Sequence, residues 1–91
     1  MSRRYRNAVG ELAPNLVLPG HYQKHLRDRL ADIEDATSLQ NVEHTRSRAV
    51  GVVEGLELAQ ALTGDVVERL YLLIEDAATA RGIELEQEGG R

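Results

Sequence analysis

Apolar residues recur at helical spacing in three segments of the chain. Residues 21–36 carry one narrow apolar stripe, residues 39–62 carry apolar groups on two faces, and residues 66–81 carry one broad face. Spacings of three and four place residues on the same side of a helix. These positions are Tyr22, Leu26, Leu30 and Ile33; Leu39, Val42, Ala49, Val53 and Leu56, with Gly51, Gly55, Leu58, Ala59 and Leu62; and Val66, Val67, Leu70, Leu73, Ile74 and Ala77.

The three patterns predict an all-α fold, either a helical hairpin or a three-helix bundle around the long central helix 39–62. A narrow stripe predicts that helix 21–36 contacts one neighbour, whereas two apolar faces predict that helix 39–62 is packed from both sides. A strand over residues 49–53 is the alternative, because valine is β-branched and glycine weakens helices. The helix-forming residues around this segment favour the helix.

Polar residues and glycine indicate where the helices begin and end. Ser38 offers an N-cap for helix 39–62, and Asp65 offers one for helix 66–81. Arg81 followed by Gly82 predicts the end of the last helix, since glycine accepts the left-handed conformation after a C-terminus. The chain is therefore divided into a basic N-terminal arm with a Pro-bounded segment (1–20), a helical domain (21–82) and an acidic tail (83–91).

The N-terminal arm has little apolar content of its own. Residues 3–12 are compatible with a short helix that ends before Pro14. Residues 14–20 lie between two prolines and are expected to be extended, since proline disfavours helix in the residue before it. We expect the aliphatic side chains Leu16, Val17 and Leu18 to pack against the helical core.

The most distinctive pattern is a ladder of small residues at every fourth position of the central helix. It consists of Ser47, Gly51, Gly55, Ala59 and Thr63. Glycine inside a helix costs about 1 kcal/mol relative to alanine, so a close helix crossing is expected to offset that cost. The sequence leaves open whether the crossing helix belongs to the same chain or to another protein.

Charge is distributed unevenly along a chain whose net charge is −4. Residues 1–30 carry six basic and two acidic side chains, a net of +4, and residues 31–91 carry five arginines and thirteen carboxylates, a net of −8. Such polarity is compatible with head-to-tail association, with a basic arm for nucleic acid, or with an ordinary solvated surface. The chain has no cysteine, which excludes disulfides and thiolate metal sites.

The sequence predicts neither a metal site nor a catalytic site. His21 and His25 are spaced for one metal ion, but no third ligand converges on them, so we expect no metal and no cofactor. Ser47 and His44 are near in sequence, but no nucleophile, base and orienting acid form a catalytic set. We therefore predict no catalytic residues and no enzyme activity. No apolar run reaches the roughly 20 residues that span a bilayer, so no membrane role is expected.

The stretch from Leu26 to Leu56 resembles small uncharacterised helical proteins of tailed bacteriophages. The similarity consists of a helix, an acidic-Ala-Thr break and a second helix in which Arg46, Arg48, Gly51 and Leu56 match, and it covers about a third of the chain. It implies a phage origin and a role in the virion or its assembly. The expected location is then cytoplasmic, in the host, or in the virion.

We predict a non-catalytic protein-protein interaction module, either a homo-oligomer or an adaptor in a larger assembly. The small-residue ladder and the charge polarity motivate this prediction. The second hypothesis is a small regulator that contacts nucleic acid through Arg3, Arg4 and Arg6, with Tyr5 stacking on a base. Nucleic acid is the less favoured partner, because the last helix is acidic and unsuited to a groove lined with phosphates.

Overall fold

Three α-helices account for most of residues 4–89, the part of the chain that the computed structural model describes. They are α1 (Gly20–Glu34), α2 (Leu39–Leu58) and α3 (Gly64–Gly89). Residues 4–89 form no strand, and residues 49–53 lie inside α2. The all-α prediction is confirmed in its three-helix form, and the strand alternative is wrong.

The helices run up, down and up. Arg46 of α2 pairs with Glu75 of α3, and Glu57 of α2 pairs with Tyr71, so α2 and α3 are antiparallel. Arg69, early in α3, donates to the carbonyl of Pro14 before α1, and Arg81, late in α3, donates to the carbonyl of Ala36 after α1. Helices α1 and α3 therefore run in the same direction.

The core lies where the three helices meet. Leu26, Leu30 and Ile33 of α1 are buried with Val53, Leu70, Ile74 and their neighbours on α2 and α3. Contrary to the one-neighbour prediction, α1 packs against both other helices. The reason is that Ala31, beside the stripe, is also buried, which widens the inner face of α1.

The inner face of α2 is as predicted except at its first residue, and Leu56 near its end packs against the core as a partly buried side chain. Val42, Ala49 and Val53 are buried, whereas Leu39 is exposed at the start of the helix. Thr45 is also buried, and its hydroxyl donates to backbone carbonyls of its own helix. The predicted packing of α2 from two sides is wrong, because the face opposite this core is open to solvent.

The helix ends differ from prediction on the C-terminal side of α2. Ser38 Oγ accepts a hydrogen bond from the Asn41 N–H at 3.0 Å, which confirms it as the N-cap. However, α2 ends at Leu58, and Gln60 takes a left-handed φ of 56°. Thr63 precedes α3, so Asp65 lies in the first helical turn and is not its N-cap.

The predicted end at Arg81 and Gly82 is wrong, because α3 continues to Gly89. Arg81 is only 9% exposed, and its Nε donates to the Ala36 carbonyl at 2.8 Å. Its Nη1 donates to Glu84 Oε1 at 2.7 Å, one turn further along the helix. The bond to Ala36 anchors the last turns of α3 to the α1–α2 connection, and the bond to Glu84 links two successive turns of α3. A free tail would have neither bond. Residues 83–89 of the predicted tail are therefore helical.

The N-terminal arm packs on the bundle without forming a helix. Residues 4–12 are turns and bends, so the helix predicted there is wrong where the structure describes it. Leu16 and Leu18 are buried, as expected, but Val17 between them is 71% exposed. This alternation is typical of an extended segment, in which successive side chains point to opposite sides.

The buried arginine yields a test of the fold. Replacing Arg81 with Met leaves the Ala36 carbonyl and the Glu84 carboxylate without their charged partner. We expect the free energy of unfolding, measured by urea denaturation, to fall by about 2–4 kcal/mol. Arg29 is the matched control, since it pairs with Asp32 at the same i,i+3 spacing at a more exposed site. Arg29→Met should cost less than about 1 kcal/mol, and equal losses would contradict the anchoring role of Arg81.

Candidate interaction surfaces

The small-residue ladder lies on the solvent side of α2. Ser47, Gly51 and Gly55 are exposed, and a Cβ atom built on either glycine meets no other atom within 4 Å. A crossing with α1 or α3 is therefore excluded as the use of these positions. Ala59 and Thr63 are exposed too, but they lie in the α2–α3 connection beyond the end of α2.

Other side chains on this side of α2 are also unengaged within the chain. Leu58 is 85% exposed. The side chains of Arg48 and Glu54 are exposed and form no hydrogen bond or ion pair with residues 4–89. We call this surface the glycine face, and its residues are Ser47, Arg48, Gly51, Glu54, Gly55 and Leu58.

Arg46 lies outside the glycine face, on the side of α2 that faces α3. This residue occupies the one charged position in the apolar seam of α2, and the structure places it at the edge of the α2–α3 contact. It pairs with Glu43 on its own helix and with Glu75 of α3 at 3.0 Å. The hydrogen bond from Arg46 lowers the pKa of Glu43, and bonds to Glu43 and Glu75 raise the pKa of Arg46.

A second open surface lies on the outer side of α3, and sequence reasoning missed it. The N-terminal half of this helix carries a shallow depression of about 710 Å³. Leu72 in its centre is 63% exposed, although it lies within an apolar run of the sequence. We call this surface the α3 groove, and its lining residues are Asp65, Glu68, Arg69, Tyr71, Leu72 and Glu75.

The α3 groove has a negative electrostatic environment. The side chains of Asp65 and Glu68 form no ion pair with residues 4–89, whereas Arg69 is engaged with the Pro14 carbonyl. Partial burial and then the charges of Glu57 and Glu54 raise the pKa of Tyr71 at the groove edge. An apolar centre therefore lies among charged side chains in which three carboxylates outnumber the one guanidinium, that of Arg69.

The basic arm is bound to the acidic end of α1. The Glu34 carboxylate accepts hydrogen bonds from the backbone N–H groups of Arg4 and Tyr5, at 2.9 and 3.1 Å. Arg6 Nε donates to Asp35 at 2.9 Å, and a second contact reaches Asp32 at 3.6 Å. Part of the charge polarity of the sequence is thus neutralised within the chain.

These contacts alter the availability of the predicted nucleic-acid residues. Arg6 is ion-paired, and Tyr5 is only 3% exposed, so Tyr5 offers no face on which a base could stack. The guanidinium of Arg4 lies 5.2 Å from the centre of the Tyr5 ring. Arg3 lies outside the described residues. The structure thus brings Arg4 and Arg6 against the bundle and does not present them as a free basic arm.

The buried ring of Tyr5 is the part of the arm that enters the core. Its hydroxyl has no hydrogen-bond partner among residues 4–89, and burial raises its pKa. A cavity of about 300 Å³ lies beside the ring, with Glu34, Asp76 and Arg81 in its lining.

Residues 4–89 contain no group of three or more histidine, cysteine, aspartate or glutamate side chains arranged to hold a metal ion. His21 instead contacts the ring of Tyr22, with centroids 4.2 Å apart. Within the same residues, no helix has both the length and the apolar character needed to cross a membrane.

Comparison with known proteins adds no relative. No protein-family model, curated protein or solved structure matches the chain.

The docking of the arm leads to a residue-specific test. Glu34→Ala removes the acceptor of two backbone N–H groups, so the amides of Arg4 and Tyr5 should exchange with solvent at least about tenfold faster. Hydrogen exchange followed by NMR measures this directly. Glu86→Ala removes an exposed carboxylate on α3 and should leave both amides unchanged. If Glu34→Ala also left them unchanged, the carboxylate would not hold the arm.

Proposed function

We propose that this protein is a non-catalytic interaction module that self-associates through the glycine face of α2. The supporting observation is the open space above Gly51 and Gly55, two exposed glycines in the interior of a 20-residue helix. Glycine at such positions destabilises the isolated chain by about 1 kcal/mol each. No contact within residues 4–89 offsets this cost, and a second helix lying close to the backbone would.

The charges of the glycine face favour a second copy of the same helix as the partner. In an antiparallel pair of α2 helices related by a two-fold axis at Gly51, each residue faces the one equally far on the other side of Gly51. Arg48 then faces Glu54 of the other copy, and Ser47 faces Gly55 of the other copy. Such a surface is complementary to itself, as a two-fold interface requires.

A dimer of this kind is also a means of building an adaptor. Each copy would keep its α1, its α3 and its arm outside the interface, so the pair would present two identical sets of outer surfaces. A role in a larger assembly, and the phage origin implied by the resemblance of residues 26–56, remain proposals consistent with this arrangement. No observation favours nucleic-acid binding as a second candidate, given the contacts of Tyr5 and Arg6 described above.

A substitution of Gly55 tests the proposal through two opposite effects. Gly55→Leu should stabilise the folded monomer by about 0.5–1 kcal/mol, because leucine is the better helix former and the space is open. The same side chain should separate the paired helices and weaken dimerisation by about 1–3 kcal/mol. Urea denaturation at low concentration measures the first effect, and sedimentation equilibrium measures the second.

Gly82→Ala is the matched control, since it replaces a helix-interior glycine on α3, away from the glycine face. It should raise stability without changing the dimer dissociation constant. If Gly55→Leu left the association of the protein unchanged, the glycine face would not be the interface.

The charge arrangement gives a further test. Arg48→Glu or Glu54→Arg alone places like charges opposite each other, and each should weaken the dimer. The double variant Arg48→Glu/Glu54→Arg exchanges the two charges and should restore association to within about threefold of the parent. Failure of the double variant to recover, measured by sedimentation equilibrium, would contradict the antiparallel geometry even if dimerisation itself were real.

A further inference from the structure

The outer side of α3 presents an apolar helix face that no other part of residues 4–89 covers. Leu72 lies at its centre and is 63% exposed, and the half-buried ring of Tyr71 borders it. The depression is lined by one helix and is open along its length. It is therefore too shallow to enclose a small molecule, since ligand pockets bury most of their ligand's surface. An elongated partner that lies along α3 would cover it.

The charges around the groove determine the chemistry of that partner. Asp65 and Glu68 lie on the α3 side and form no ion pair with residues 4–89, and the charges of Glu57 and Glu54 of α2 act on Tyr71 at the other edge. Glu75, which lines the end of the groove farthest along α3, is already paired with Arg46 of α2 at 3.0 Å. The surface is thus apolar in the centre and net negative around it, with Arg69 as the one cation among its lining residues.

We propose that the α3 groove binds a cationic amphipathic helix of another protein. An aliphatic side chain of that helix would cover Leu72, and lysine or arginine residues on its flanks would face Asp65 and Glu68. This is the helix-in-groove mode of recognition, in which apolar anchors supply contact area and surrounding charges select the partner. The lining residues of the groove are distinct from the residues of the glycine face, although the charge of Glu54 on the glycine face acts on Tyr71 and the two surfaces therefore adjoin.

Charge is the reason to prefer a foreign helix over a second copy of this chain. Three basic side chains of the arm and of α1 already form ion pairs within the chain: Arg6 with Asp35, Lys24 with Asp28 and Arg29 with Asp32. A second copy would have to break such pairs, or withdraw Arg48 from the glycine face, to supply cations to the groove. A separate cationic helix would not.

The experiment uses the full chain and a defined probe. The probe is a fluorescently labelled peptide of about 18 residues made of leucine, lysine and alanine, with its leucines on one helical face. A peptide of identical composition but scrambled order is its control. Fluorescence anisotropy at about 0.15 M salt, where weak surface attraction is largely screened, should show binding of the amphipathic peptide and at least about tenfold weaker binding of the scrambled one. Equal binding of both peptides would overturn the proposal.

A variant separates groove binding from simple attraction between opposite charges. Leu72→Glu adds a negative charge to the groove while it removes the apolar centre. A purely electrostatic surface would bind the cationic peptide more tightly after this change, whereas the proposed groove should bind it at least about tenfold more weakly. Ile83→Glu is the matched control, because Ile83 is a half-exposed aliphatic residue on α3 outside the groove. It should leave the affinity within about twofold of the parent.

Three results would refute the assignment. Tighter binding by Leu72→Glu would mean that charge alone attracts the peptide. Equal weakening by Leu72→Glu and Ile83→Glu would place the effect outside the groove. A loss of self-association in Leu72→Glu, measured by sedimentation equilibrium, would make the groove an interface between copies of this chain. Because the glycine-face variants are measured by dimerisation and these variants by peptide affinity, the two proposals can fail independently.

Discussion

A three-helix bundle gives each helix one inner face, and this constraint decides which surfaces of the molecule remain open. The apolar face of α2 that contains Ala49 and Val53 turns inward against α1 and α3. The opposite face, with Gly51 and Gly55, must then face solvent. The same geometry turns Ile74 of α3 into the core and leaves Leu72 outside. Both candidate surfaces therefore result from the packing of the core.

The spacing of apolar and polar residues along the chain was sufficient to predict the three helices and much of the core. The spacing of Leu26, Leu30 and Ile33 identified α1, and the polar break before Leu39 identified the cap at Ser38. What pattern could not predict is how many neighbours a helix has, because this depends on how the elements assemble. The exposed glycine ladder is the clearest case, since the same periodicity describes a buried crossing and an open face.

Long-range polar contacts explain most of the remaining differences. Arg81 and Gly82 are the residue types that usually end a helix. However, Arg81 is bound to the Ala36 carbonyl of the α1–α2 connection, and α3 extends beyond both residues to Gly89. The basic arm likewise carries the composition of a nucleic-acid contact, but Glu34 and Asp35, about thirty residues away, bind it to the bundle. Neither partner can be recognised from the neighbouring sequence.

The most direct measurement of the central proposal uses the absence of cysteine from the chain. A single Gly51→Cys substitution places a thiol on the proposed two-fold axis, where the two copies would approach within the roughly 7 Å between Cα atoms that a disulfide can bridge. Mild oxidation should convert this variant to a covalent dimer, while Ala80→Cys, on the exposed side of α3, should stay largely monomeric. Cross-linking of Ala80→Cys to the same extent, or none by Gly51→Cys, would contradict self-association through the glycine face.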